Sequence, residues 1–193
     1  MDAFLALFLA GRSSSKWAFT GNPSEFDYYK GFLKQLVETL FPIKGRRRIR
    51  DDNTVRLHFR SKRLALYFLS MGLPLGKKRD ASIPLCVRRG HLVVSFIRGF
   101  YHAEGSIYFR YSKRYPYHAR KYGNLLVIQF RCKLRTLMSQ LHRGVIELGI
   151  TPTRIGERDG VYTFRITKQN QISKFLKVVG PRYKTKPRAE VRL

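Results

Sequence analysis

Two stretches of the chain crowd together groups that can neutralise phosphate. Lys44 to Arg50 (KGRRRIR) and Arg110 to Lys121 (RYSKRYPYHARK) set guanidinium and ammonium groups closer than solubility requires. Lys and Arg number 39 against 12 Asp and Glu, a net charge of +27 on 193 residues, and such a surplus strains any compact state without a polyanion to neutralise it. Nucleic acid is therefore the expected partner. No disulfide framework or structural zinc follows from the cysteines. Cys86 and Cys132 are the two cysteines, and neither has a CxxC or Cys/His neighbour at metal-ligand spacing.

The elements that would position those charges are written twice. Ala3 to Gly11 (AFLALFLAG) parallels Phe96 to Glu104 (FIRGFYHAE), which sets Gly11 on Glu104. Leu33 to Leu36 (LKQL) parallels Met138 to Leu141 (MSQL), and Val55 to Lys62 (VRLHFRSK) parallels Val161 to Lys168 (VYTFRITK). Twelve residues of the growth in offset fall within the first hairpin, so that hairpin is longer in the second half. Short alternating runs such as Val55–Phe59 and Leu125–Phe130 read as strands. Apolar stretches at helical spacing run near Tyr28–Phe41, Lys62–Met71, Leu134–Leu148 and Gln169–Val178, with Gly149 as a helix stop.

The fold class is thus α+β, an αββαββα unit repeated. Leu73 to Leu92, with two prolines and many charges, has the composition of a linker. The division expected is a first repeat over 1–78, a linker over 79–94 and a second repeat over 95–193. The opening helices carry small residues four apart, Ala6 and Ala10 in one and Gly99 and Ala103 in the other, so their backbones could pack closely. The apolar start lacks the basic region of a secretory signal and is too short to span a bilayer, so it reads as a buried helix of an intracellular protein, cytoplasmic or organellar.

Ser95 to Ile107 (SFIRGFYHAEGSI) resembles the LAGLIDADG motif of homing endonucleases. Leu66–Lys78, Glu147–Ile155 and Val161–Phe175 resemble the segments that surround the motif in single-chain members, so the resemblance covers nearly the whole chain. It implies two pseudo-symmetric halves packed through the motif helices, each with a four-stranded antiparallel sheet, together forming a saddle on DNA. It also implies an intron-encoded monomer acting on one long duplex site; no flanking splice-domain sequence points to an intein. A strand pair fits the major groove, where alternate side chains reach base edges. Candidate DNA contacts are Arg46, Arg47, Arg48, Arg50, Arg56, His58 and Arg60 in the first half. In the second they are Arg110, Lys113, Arg114, Arg120, Lys121, Gln129, Arg131, Arg154, Arg158 and Arg165. Tyr108, Tyr111, Tyr115 and Tyr117 are placed to stack on bases or to support the long hairpin.

The resemblance further implies phosphodiester hydrolysis with divalent metal, Mg²⁺ or Mn²⁺, with Ca²⁺ as a non-catalytic substitute. The ligands would be one acid from each motif helix end and nearby backbone carbonyls. Glu104 supplies the second acid, Ala10 and Ala103 the carbonyls, and Lys133 an electrostatic helper whose first-half counterpart is Asn22. The first motif departs from the pattern. Gly11 stands where its acid belongs, Arg12 follows, and no acid lies between Asp2 and Glu25. Three outcomes fit one missing carboxylate: a strand-biased or slow nuclease, a DNA-binding protein without chemistry, or a maturase bound to intron RNA. A basic ribosomal or other structural RNA-binding protein would account for charge and size, but not for FYHAEG or the ordered repeat. Preference for one DNA site over random duplex, or for structured RNA, separates these readings.

Overall fold

The computed structural model describes residues 11–12, 16–21, 28–49, 54–70, 81–88, 91–109 and 125–180. Two compact units divide between Cys86 and Val87.

The first unit holds strands β1 (Gly11–Arg12), β2 (Lys16–Gly21), β3 (Arg46–Ile49) and β4 (Val55–Arg60) in one antiparallel sheet of order β1-β2-β4-β3. A π-helical turn (Tyr28–Leu33) leads into helix α1 (Lys34–Leu40), and α2 (Lys62–Ser70) follows β4. In β4 the alternation works as the sequence suggests. Val55, Leu57 and Phe59 are buried, while Arg56 and His58 are half-buried and Arg60 is exposed.

The second unit repeats this plan. Helix α3 (His91–Glu104) runs into β5 (Gly105–Phe109). Then come β6 (Leu126–Cys132), α4 (Arg135–Glu147), β7 (Gly156–Arg158), β8 (Val161–Ile166) and α5 (Gln169–Val179). The sheet order is β5-β6-β8-β7, the same path as in the first unit. Its core is aromatic. Phe130 lies 4.8 Å from Phe164, and Phe175 meets both Phe130 and Tyr101 edge-on. Burial among these rings pushes the Tyr101 hydroxyl above its usual acidity range. Helix α4 buries Leu137, Met138, Leu141, Gly144 and Val145, a stripe at helical spacing. It ends at Gly149, whose φ of 69° suits a residue without Cβ; α5 stops in the same way at Gly180, φ 55°.

Three details go beyond the sequence reading. Within the expected linker, where the two units divide, Ala81, Ile83, Pro84 and Val87 are buried and Leu85–Val87 forms a 3₁₀ turn. Helix α3 begins at His91, ahead of residue 95, where the second repeat is expected to start. The third is one of register. Aligning Val55 with Val161 would set buried Leu57 and Phe59 on Thr163 and exposed Arg165. Leu57 belongs on Phe164 and Phe59 on Ile166, all buried, and this also sets Lys62 on Gln169, the first residues of α2 and α5. A one-residue slip in a strand exchanges its two faces, so burial decides the matter. The expected first motif helix, with Ala6, lies outside the described residues. Among the described residues, no helix is long and apolar enough to cross a membrane.

Candidate nucleic-acid interface

In the second unit β5, β6 and β8 each send one set of side chains into the aromatic core and the other set to the opposite face. Ser106, Gln129 and Arg165 stand side by side across β5, β6 and β8, and Arg131 stands opposite Thr163 in the neighbouring row. Arg131 and Arg165 are exposed. The Tyr108 hydroxyl donates to Gln129 Oε1 at 2.8 Å, and Arg165 Nε donates to the same oxygen at 3.2 Å. The Arg165 backbone is fixed as well. Its N–H donates to Thr153 Oγ1 at 2.9 Å, and its carbonyl accepts from Thr153 N–H at 2.7 Å. Exposed Arg154 follows Thr153, so the ladder beside β8 extends basic groups towards the sheet edge. Arg158, on β7, is exposed and pairs at 3.5 Å with the equally exposed Asp159, a contact that solvent makes weak.

The first sheet has the same rows but different contents. Arg46 pairs across the ladder with His58, and Arg48 with Arg56. Arg46, Arg48 and Arg60 are exposed. Like charges directly opposite on a sheet repel, and the buried Arg56 Nε has no hydrogen-bond partner. An anion on this face would relieve both. Arg47 pairs with Leu57 and so takes the alternate ladder position. Arg50, Arg110, Lys113, Arg114, Arg120 and Lys121, with Tyr111, Tyr115 and Tyr117, lie outside the described residues, as do Ala10 and Asn22.

Glu104 is the last residue of α3 and is exposed, as is Ala103. The following turn requires glycine: a Cβ on Gly105 would come within 2.8 Å of the Tyr101 Cα. The helix itself is anchored where Arg98 Nε donates to the Val179 carbonyl at 2.5 Å, closing the end of α5. Glu104 thus projects from a fixed helix end whose dipole favours a cation. Lys133 is exposed just after β6.

Gly11 is placed differently from Glu104. It opens β1 as Gly105 opens β5, and its partner Ala18 lies opposite His58. With the core rows matched, that row corresponds to Ser106, Gln129 and Arg165, two residues later than the motif alignment implies. On this register Leu9 answers to Glu104. On either, the first half brings no carboxylate.

A hard divalent ion fits what is present only in part. Glu104 and the carbonyl end of α3 are oxygen donors of the right kind. Among the described residues, no group of three or more His, Cys, Asp or Glu could enclose a metal. Further ligands would have to come from water or substrate phosphate.

One basic feature escaped sequence reading. Arg88, Arg135, Thr136, Ser139, Gln140 and Arg143 line an open cleft of about 380 Å³. The signal was available in Arg135, Ser139 and Arg143, four apart on the exposed side of α4. Because α4 buries its other side against α3, β6 and β8, this cleft is separate from the row that carries Gln129.

No family model and no curated protein matches this chain. Solved structures do. I-DmoI in complex with DNA and Mn is 19% identical, with a TM-score of 0.60 over 96% of each chain. A mesophilic variant of the homing endonuclease I-DmoI is 20% identical, with a TM-score of 0.60 over 92% of this chain and 93% of that one. The N-terminal LAGLIDADG domain of DUF199/WhiA is 14% identical, with a TM-score of 0.58 over 95% of this chain and 83% of that one. The α+β architecture expected from the repeat, with a four-stranded antiparallel sheet in each half, is that of the LAGLIDADG fold.

Proposed function

We propose that this chain, with the LAGLIDADG fold as its frame, is a homing-endonuclease-type protein. It binds one long duplex DNA site through the exposed faces of its two sheets, as an intron-encoded monomer. The observation that carries the reading is the polar row of the second sheet, where Gln129 and Arg165 stand above an aromatic core with their side chains joined by a hydrogen bond, and exposed Arg131 lies in the adjoining row. A surface that only needs charge has no use for a hydrogen-bonded glutamine at its centre, whereas base-edge readout does. The likeness to structures solved with target DNA supports it. Arginines of the first sheet add contacts to phosphate.

Hydrolysis of the phosphodiester bond is assigned to Glu104, which would hold a divalent cation beside the α3 carbonyl end. Structures of I-DmoI with Mn, Mg and Ca support divalent metal in such a role. When bound, that ion would stabilise charge on the attacking and leaving oxygens. Glu104 contributes its negative charge and its direction, and Lys133 offers a cation near the same strand end. A second reading, binding of DNA or of intron RNA without cleavage, is favoured by one observation: the first half supplies no acid on either alignment.

Supercoiled plasmids carrying candidate intron-insertion sites, incubated with Mg²⁺ or Mn²⁺, decide between them. A cutting enzyme nicks or linearises a site, and Glu104→Gln lowers the rate by roughly 10²–10³-fold, the scale of losing one preorganised electrostatic group. If the natural chain leaves plasmid intact while Gly11→Asp or Leu9→Asp cuts it, the protein binds without chemistry. Binding to structured RNA in preference to any duplex would sink the DNA reading.

A further inference from the structure

The hydrogen bonds around Gln129 fix more than its position. A glutamine side chain offers one oxygen with two lone pairs and one NH₂ with two donors. Arg165 faces it with a guanidinium N–H at 3.2 Å, and a guanidinium has no acceptor, so the atom turned towards Arg165 must be the oxygen. The Tyr108 hydroxyl reaches the same atom at 2.8 Å. Both lone pairs of Oε1 are therefore engaged, and the amide NH₂ is turned the other way. Arg165 gives its Nε to this bond and keeps its two terminal NH₂ groups. Thr153 holds the Arg165 backbone from both sides, so the pair cannot shift along the ladder without losing those bonds.

What Gln129 and Arg165 keep for a ligand donates only, the amide NH₂ and the terminal guanidinium nitrogens. Reading adenine with glutamine needs both halves of the amide, the oxygen accepting from N6 and the nitrogen donating to N7. Here the oxygen is already committed. Cytosine presents a donor in the major groove and would meet donors, and thymine presents a single acceptor. Guanine alone presents two acceptors side by side, N7 and O6.

We propose that Gln129 and Arg165 form a preset donor patch that reads a guanine, with Tyr108 acting as the positioning residue that keeps Gln129 from reading adenine. This rests on the DNA-reading function proposed above and names the base pair that one part of the surface selects. Arg131, exposed in the adjoining row, lies close enough in sequence and register to extend the donor surface towards a neighbouring base or phosphate.

The experiment is selection from a randomised duplex DNA library by the intact protein in Ca²⁺, followed by sequencing of the bound fraction, repeated with Gln129→Leu and Tyr108→Phe. In the natural protein one position should favour guanine by roughly tenfold or more. Gln129→Leu should flatten that position and leave the others unchanged. Tyr108→Phe frees one lone pair of Oε1, and adenine should rise at that same position, an effect that merely structural damage would not produce. Thermal midpoints of both variants by circular dichroism check that they are folded. If the position flattened by Gln129→Leu favours adenine in the natural protein, or if no position responds, the proposal is overturned while DNA reading stands. If no sequence is enriched at all, the DNA-reading function itself fails.

Discussion

The two sheets follow the same strand order, yet they hold their exposed side chains in opposite ways. In the second, a tyrosine, a glutamine and an arginine satisfy one another and are pinned from the backbone by Thr153. In the first, Arg48 stands across from Arg56, Arg46 across from His58, and the Arg56 Nε is buried without a hydrogen-bond partner. A face whose groups are mutually satisfied can discriminate, because its donors are fixed before a ligand arrives. A face on which arginines oppose each other, as Arg48 and Arg56 do, attracts any polyanion and gains from neutralisation. On the DNA-reading function proposed above, one half suits specificity and the other affinity, and the half with the ordered face also carries Glu104 at its helix end.

The comparison breaks most readily at the aromatic core beneath the ordered face. Phe130→Ala should destabilise the second unit by about 3–5 kcal/mol, the usual cost of truncating a fully buried phenylalanine. Thermal unfolding measures the loss. If ordering of the face depends on that core, base discrimination should fall before affinity for random duplex does.

Arg48→Gln and Arg56→Gln sharpen the other side. Each should weaken binding about equally for all sequences and lower the slope of log affinity against log salt by about one, as expected for one phosphate contact. Each should also stabilise the free protein by up to about 1 kcal/mol, since an opposed like-charge pair is removed. A change in base preference in either variant would mean that the first sheet reads sequence too.

The smallest effect concerns Tyr101. Its folded-state pKa is raised by burial, so the neutral hydroxyl is favoured by folding, and this contribution is fully present below the unfolded value of about 10. It is lost as pH rises above that. Stability should fall by about 1 kcal/mol per pH unit beyond that point, and Tyr101→Phe should remove most of this slope. Thermal midpoints between pH 9 and 11 measure it.

Much of this architecture could be read from the chain. The alternation in Val55–Phe59 and Leu125–Phe130 located two inner strands, and apolar spacing located the helices, because burial on one face leaves a periodic record. The edge strands leave none: RRRI and GER show no apolar alternation, and only the repeat implied them. The register between halves slipped by one because the paired valines and lysines masked where Leu57 and Phe59 belong. Glu104, Gln129 and Arg165 could each be named as candidates from the sequence. That Tyr108 and Arg165 share one oxygen of Gln129 could not, because the three come from three strands and meet only once the ladder is set.

Those two edge strands bear on a hazard of another kind. A sheet edge exposes unpaired N–H and C=O groups to which the edge of a second copy can add. Strand β3 is four residues long with three arginines, and β7 is three residues long, wholly exposed, with glycine and two charges. The three arginines of β3 repel a second copy of that strand, and β7 is too short to offer a long template, so these two edges resist pairing without any covering element. Bound polyanion weakens that protection at β3 by cancelling its charge. The colloidal danger to this protein is therefore greatest at sub-stoichiometric DNA, when neutralised and free copies coexist, and turbidity should peak there and clear as sites are filled.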